Sequence, residues 1–146
     1  MTHNKSTPSK PNPRKASMQT NNFLRSLARI NLSRLSSPFR RSRAIKRAAY
    51  VSMARTASPR RLWTRAILGR LQLRPQARLL HHRRTYKKAI STPHDKLRRL
   101  VPGGAEMDFC RLFEETMDYV EFLSKQVRIM EAIVDVMEDE FKQKKG

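Results

Sequence analysis

The strongest pattern of apolar and polar positions lies between Phe109 and Phe141. Phe113, Val120, Val127, Val134 and Phe141 recur every seven residues, and Phe109, Thr116, Leu123, Met130 and Met137 form a second seven-residue series offset from it by three and four. These are the two seam positions of a heptad, so the spacing predicts a helix that packs along one stripe. β-Branched residues in the first series favour a parallel two-chain pair, and the alternative is an ordinary core helix. No proline or glycine interrupts Phe109–Phe141, which predicts one helix about 50 Å long at ~1.5 Å per residue. Asp108 is placed to cap it, with Met107 and Leu112 closing a hydrophobic staple. Leu112, Met117 and Tyr119 widen the apolar arc in its first half, as in a helix that begins in a four-helix bundle and continues as a two-stranded coil.

Upstream the signals are shorter. Thr92-Pro93 is an N-cap followed by proline at the first helical position, and predicts a short helix to about Val101 carrying Leu97 and Leu100. Pro102-Gly103-Gly104 ends it. Leu79, Tyr86 and Ile90 continue helical spacing before Pro93, which predicts a looser helix there. Trp63, Ile67 and Leu71 recur every four residues after Ser58-Pro59 and stop at Pro75, a helix with a docking face. Arg47–Thr56 is Ala-rich and helix-favouring. Phe23, Leu24, Leu27, Ile30 and Leu35 alternate with Arg25, Arg29 and Arg34, a short basic amphipathic helix, whereas residues 1–22 have a composition that cannot offset the entropy of ordering. The chain therefore divides into a basic, mostly disordered tail (1–37), a basic helical block (38–76), a basic region (77–92), a helix-loop-helix hairpin (93–141) and a tail (142–146). The fold class is all-α. Two helices alone leave one face of each wet, which predicts that the hairpin needs a partner chain.

Charge sharpens this division. The chain has 146 residues and a net charge of +20, and all 12 acids lie at or beyond Asp95, so residues 1–94 carry +23 and residues 95–146 carry −3. A polycationic arm is attracted to polyanions, and a balanced segment can pack. Arg40, Arg41, Arg43, Lys46 and Arg47 form the densest cluster, either a solvated face or a nuclear-import and phosphate-contact element.

Several chemistries are excluded. The single cysteine, Cys110, cannot form an internal disulfide, and four histidines with one thiol give no zinc-ligand spacing; His81-His82 reads as a solvated patch. Four glycines make no phosphate loop, and an acid-free first 94 residues leave little from which to build a carboxylate pair. No apolar run is long enough for a membrane span, and residues 1–22 lack the apolar stretch of a signal peptide. The expectation is a soluble intracellular protein without cofactor or metal, and not an enzyme.

The string Lys96-Leu97-Arg98-Arg99-Leu100-Val101-Pro102-Gly103-Gly104, then Met107-Asp108 and Leu112 to Val120, closely resembles plant atypical basic helix-loop-helix proteins. It is most similar to the small growth-inhibiting group that pairs with other helix-loop-helix factors in brassinosteroid and gibberellin responses. Arg47-Ala48-Ala49, Ser52-Met53-Ala54 and Ser58-Pro59-Arg60-Arg61 through Leu68 resemble that group's N-terminal block. DNA-binding members use a glutamate to read a base amino group, with a histidine or lysine one turn before it and an arginine one turn after. Counted back from Pro102, those positions fall on Arg83, Leu79 and Lys87. Guanidinium offers only donors, so Arg83 cannot replace the glutamate, and no acid upstream of Asp95 can restore it. Pro93 also breaks the continuous helix that DNA-binding members use.

The resemblance implies a nuclear repressor of growth that heterodimerises with helix-loop-helix activators and blocks their DNA binding, with a homodimer also open. The dimerisation residues expected are Leu97, Leu100, Val101, Phe109, Leu112, Phe113, Thr116, Val120, Leu123, Val127, Met130, Val134 and Met137. Two rivals stand beside it: a basic protein that binds nucleic acid non-specifically, and an organellar protein with a transit-like start.

Overall fold

The computed structural model describes residues 13–33, 37–72 and 92–145, with side chains from Met18 onward. Among these are five α-helices: α1 (Pro13–Leu32), α2 (Pro38–Thr56), α3 (Leu62–Gln72), α4 (Pro93–Leu100) and α5 (Phe109–Gln143). A single 3₁₀ turn, Gly104–Glu106, links α4 to α5. The fold is all-α, a helical hairpin of α4 and α5 with three further helices laid on α5.

The local signals explain the helix ends. Thr92 Oγ1 accepts from the Asp95 N–H at 3.3 Å and donates to the Asp95 carboxylate at 2.9 Å. Asp108 Oδ1 accepts from the Arg111 N–H at 2.9 Å. Gly103 takes a left-handed φ of 79°, and a Cβ on Gly104 would lie 2.6 Å from the Arg98 carbonyl oxygen; both glycines are therefore required by the turn. Met107 and Leu112 are buried in one cluster, as the staple predicts. The Arg98 guanidinium donates to the Met107 carbonyl, and the His94 ring meets the Phe109 ring edge-on at 4.7 Å, so α4 is tied across the loop to the start of α5.

Three departures from the sequence reading have physical causes. Residues 13–22 are helical, not disordered: the helix predicted from Phe23 starts at Pro13, and α1 folds back on α2, buries Phe23 against Ala48 and Ala49, and packs Leu27 and Ile30 on the same cluster as Ile129 and Ile133. Its polar composition is tolerated because the buried Gln19 donates to the Phe122 carbonyl at 3.3 Å and to Gln126 Oε1 at 3.0 Å, bonds supplied from the far end of the chain. The helix expected to start at Ser58-Pro59 begins at Leu62, because Ser58 closes a turn instead, accepting from the Arg61 N–H at 3.1 Å through its carbonyl. The final helix runs to Gln143, past the expected end at Phe141 and into the expected tail.

The hairpin's wet face is covered from within the chain. Trp63, fully buried on α3, meets the Tyr119 and Phe122 rings at tilted angles, with centroids 5.2 Å and 5.6 Å away. Met53 and Ala54 of α2 and Val101 join the same core. α1, α2 and α3 therefore cover one face of the hairpin from within the chain, and leave the seam residues Phe113, Val120, Val127, Val134 and Phe141 exposed.

Candidate dimerisation surface

Helix α5 carries two stripes, not one. Leu112, Glu115, Tyr119, Phe122 and Gln126 are buried under α1–α3, and Ile129 and Ile133 pack there partly. They are spaced by three and four, like the stripe read from the sequence, and are shifted from it by one residue, ~100° around the helix. The inner stripe escapes a hydrophobic scan because Glu115 and Gln126 occupy two of its positions; its regular spacing is the signal that could have found it.

Glu115 and the Gln126 carbonyl oxygen are both hydrogen-bonded, while Gln126 Nε2 is buried without a partner. Glu115 Oε2 accepts the Trp63 backbone N–H at 3.1 Å, and the Arg61 guanidinium lies 3.9 Å from Glu115 Oε1. The Trp63 indole N–H donates to Asp118 Oδ2 at 2.8 Å, with Arg61 Nε 3.5 Å from the same oxygen. Two carboxylates therefore sit at the N-terminus of α3, where free backbone N–H groups and the helix dipole favour anions. Gln126 Oε1 also lies 3.0 Å from the Ser52 hydroxyl, which reaches the Ala49 carbonyl at 2.8 Å. Burial first, and then the neighbouring Tyr50, pushes the Tyr119 hydroxyl up to about 12.

The outer stripe has no cover. Phe109, Phe113, Val120, Val127, Val134, Met137 and Phe141 are between 50% and 70% exposed, and Met130 is 36% exposed. Thr116 is partly buried and its hydroxyl donates to the Leu112 carbonyl at 2.6 Å. Leu123 is partly buried against the core, Leu97 likewise, and Leu100 is exposed. Two expected dimerisation residues are corrected: Val101 and Leu112 are 3% and 0% exposed inside this chain, so neither retains side-chain surface for a partner. Leu79, Arg83 and Lys87, the degenerate DNA-reading positions, and His81-His82 lie outside the described residues.

Arg40, Arg41, Arg43, Lys46 and Arg47 are all exposed along α2. Arg41 donates to Asn31 at 2.6 Å, and Arg43 lies over the Phe39 ring. Between α2 and α5 runs an apolar groove of about 570 Å³, floored by Ile45, Ala49, Leu123, Val127 and Met130. A second cleft of about 780 Å³ joins α2 to α3 and Pro102, and there Arg40, Arg43, Lys46, Arg47 and Arg70 converge around Tyr50 and Tyr119. Among the described residues no three histidine, cysteine or acidic side chains gather as a metal site, and no helix is long and apolar enough to cross a membrane.

The family description "IBH1-like, N-terminal domain" matches residues 16–75, which is α1 through α3. A rice (Oryza sativa subsp. indica) protein named Transcription factor IBH1 is 38% identical, over 78% of this chain and 75% of its own. The chain belongs to the IBH1-like family. Transcription factor bHLH148 of Arabidopsis thaliana is 32% identical over 67% of this chain and 58% of its own length. Transcription factor IND of the same plant is 42% identical over 33% of this chain. No solved structure matches. In IBH1-like terms, the matched N-terminal domain is the three-helix layer that covers the inner stripe of α5. The chain is a plant transcription regulator related to helix-loop-helix factors, and not an enzyme.

Proposed function

We propose that this IBH1-like protein pairs through the outer stripe of α5 with helix-loop-helix activators and holds them off DNA, restraining cell elongation in brassinosteroid- and gibberellin-linked growth. The observation that carries the reading is the uncovered stripe itself. A contiguous row of large apolar side chains half-exposed on one helix is characteristic of a protein-interaction surface, and its heptad spacing matches a second helix. Val120, Val127, Val134, Phe113 and Phe141 form one edge; Phe109, Thr116, Leu123, Met130 and Met137 form the other.

Blocking follows from the basic region. Each chain of a helix-loop-helix dimer supplies one reading helix to one half-site, and here Leu79 and Arg83 stand where the reading groups belong. Two lost contacts at ~1–3 kcal/mol each weaken specific binding by about 30-fold to 10,000-fold. The α2 cations Arg40, Arg41, Arg43, Lys46 and Arg47 act in nuclear import. The same exposed charge supports a second reading, non-specific attraction to nucleic acid, which falls steeply with salt.

The test titrates this protein into a complex of an activator homodimer with labelled box DNA at about physiological salt, ~0.15 M. The activator leaves the DNA as mixed dimers form. A supershifted complex that discriminates the box from a scrambled duplex would overturn the blocking mechanism, and a shift indifferent to sequence and lost with salt would favour the second reading.

A further inference from the structure

We propose that Ser58 is a phosphorylation site for a proline-directed serine/threonine kinase that selects a basic residue three positions on, and that its phosphate loosens α3 from α5 by drawing away Arg61.

Recognition is written into one short segment. Ser58-Pro59-Arg60-Arg61 places proline directly after the serine and a guanidinium at the third position. Proline has no backbone N–H and a fixed φ, so it suits a kinase whose adjoining subsite asks for no donor. Arg61 suits an anionic subsite that takes a planar cation. Ser37-Pro38-Phe39-Arg40 has the same spacing, but there Pro38 to Arg40 form the first turn of α2, and Thr92-Pro93 has Asp95 at the third position. Residues 57–61 lie between α2 and α3, outside both helices, so this segment can be drawn out into a kinase groove without unwinding either. Ser58 is partly exposed, Pro59 and Arg60 are exposed, and the Ser58 hydroxyl accepts from the Arg60 N–H at 3.3 Å. With ATP as donor, Ser58 Oγ bonds to the γ-phosphorus while the bond from that phosphorus to the β–γ bridging oxygen breaks. ADP leaves, and the hydroxyl proton passes to the catalytic aspartate of the kinase.

The surroundings decide what the phosphate does. Ser58 borders a shallow cleft of about 560 Å³ in which Arg60, Arg61 and Arg111 face Asp108, Glu114 and Glu115, three cations against three acids. A phosphate adds a charge of about −1.5 to −2 to this balance at neutral pH, and it forms shorter, bidentate pairs with arginine. Arg61 is within its reach, three residues along the same turn, with a side chain 34% exposed and lying 3.5 Å from Asp118 and 3.9 Å from Glu115. Those two carboxylates hold Trp63 by its backbone and indole N–H groups. The Glu115 side chain is only 5% exposed, so without Arg61 its charge stays buried, uncompensated, beside a new anion, and such a charge is destabilising. The α3–α5 contact therefore weakens.

The experiment incubates the full chain with ATP and a kinase of this preference, and maps the phosphopeptides. Ser58 gains a phosphate that Ser58→Ala removes; Arg61→Lys, which keeps a base at the third position, retains it, and Arg61→Gln loses most of it. The phosphorylated chain unfolds at lower urea and binds more hydrophobic dye than the unmodified chain, and a phosphatase reverses both shifts. Ser58→Ala treated in the same way shows neither shift, which separates Ser58 from Thr7 and Ser37, the other positions followed by proline and then by a base at the third place. Phosphate on Thr7 or Ser37 but not on Ser58, or no phosphate at all, would overturn the site. Phosphate on Ser58 with an unchanged or higher urea midpoint would overturn the loosening of α3.

Discussion

Glu115 Oε2 accepts the backbone N–H of Trp63 at 3.1 Å, so a carboxylate on α5 caps the first turn of α3. The local sequence offers no substitute, because the residue before α3 is Arg61, whose side chain cannot accept a hydrogen bond. Glu115→Ala should lower stability by about 1–3 kcal/mol by leaving that buried donor unpaired, and Glu115→Gln, which keeps an acceptor, should cost less. Urea unfolding followed by circular dichroism checks the order; equal losses would assign the effect to the Arg61 ion pair instead.

The α3 layer depends on Trp63 more than on any polar bond. Trp63→Ala should cost about 3–5 kcal/mol and release α3 from α5. Tyr119 and Phe122 would then become solvent-accessible, measurable as increased binding of a hydrophobic dye.

For the outer stripe, Val127→Glu should abolish activator capture in a pull-down while leaving helicity and unfolding unchanged, because Val127 is 51% exposed in the free chain and an unpaired carboxylate facing a partner costs several kcal/mol. Leu123→Glu is the less clean variant, since Leu123 also packs on the core. Lys125 is no neutral control: it pairs with Glu121 and lies 5.1 Å from the Phe122 ring centroid. Arg128→Ser, off both stripes, serves better and should do little.

Replacing Arg40, Arg41, Arg43, Lys46 and Arg47 together by alanine should move a fluorescent fusion toward the cytoplasm without unfolding it, because all five side chains are exposed. Unchanged nuclear accumulation in cells lacking a helix-loop-helix partner would remove the import role from α2.

Tyr119 predicts an alkaline limit. Its pKa rises from 10.0 to about 12 on folding, so the unfolded chain loses this proton first. The stabilisation is complete below about pH 10 and is lost as pH rises toward about 12. Tyr119→Phe should flatten that part of the difference between the two stability–pH curves.

Much of this was legible in the sequence wherever the cause was local. Thr92, Gly103 and Asp108 act through neighbours a few residues away, and uninterrupted helical spacing marked α5 and its outer stripe. What stayed hidden depends on distant partners. Gln19 makes α1 part of the core only because Gln126, 107 residues later, supplies its acceptor. Glu115 reads as a surface acid until α3 brings a helix N-terminus to it. Leu112 and Val101 look like partner-facing residues in the hairpin alone, because the layer that buries them comes from α2 and α3.

The inner stripe has a consequence for how quickly the outer one can be used. With α1–α3 seated on one side, α5 is already helical when an incoming helix arrives, so the backbone ordering that an isolated hairpin would undergo on contact has been completed in advance. Encounter then needs only orientation of two rigid faces, and competition for an activator that must itself fold on pairing becomes a matter of rates as well as affinities. Loosening the α3 layer should therefore slow association before it weakens the final complex.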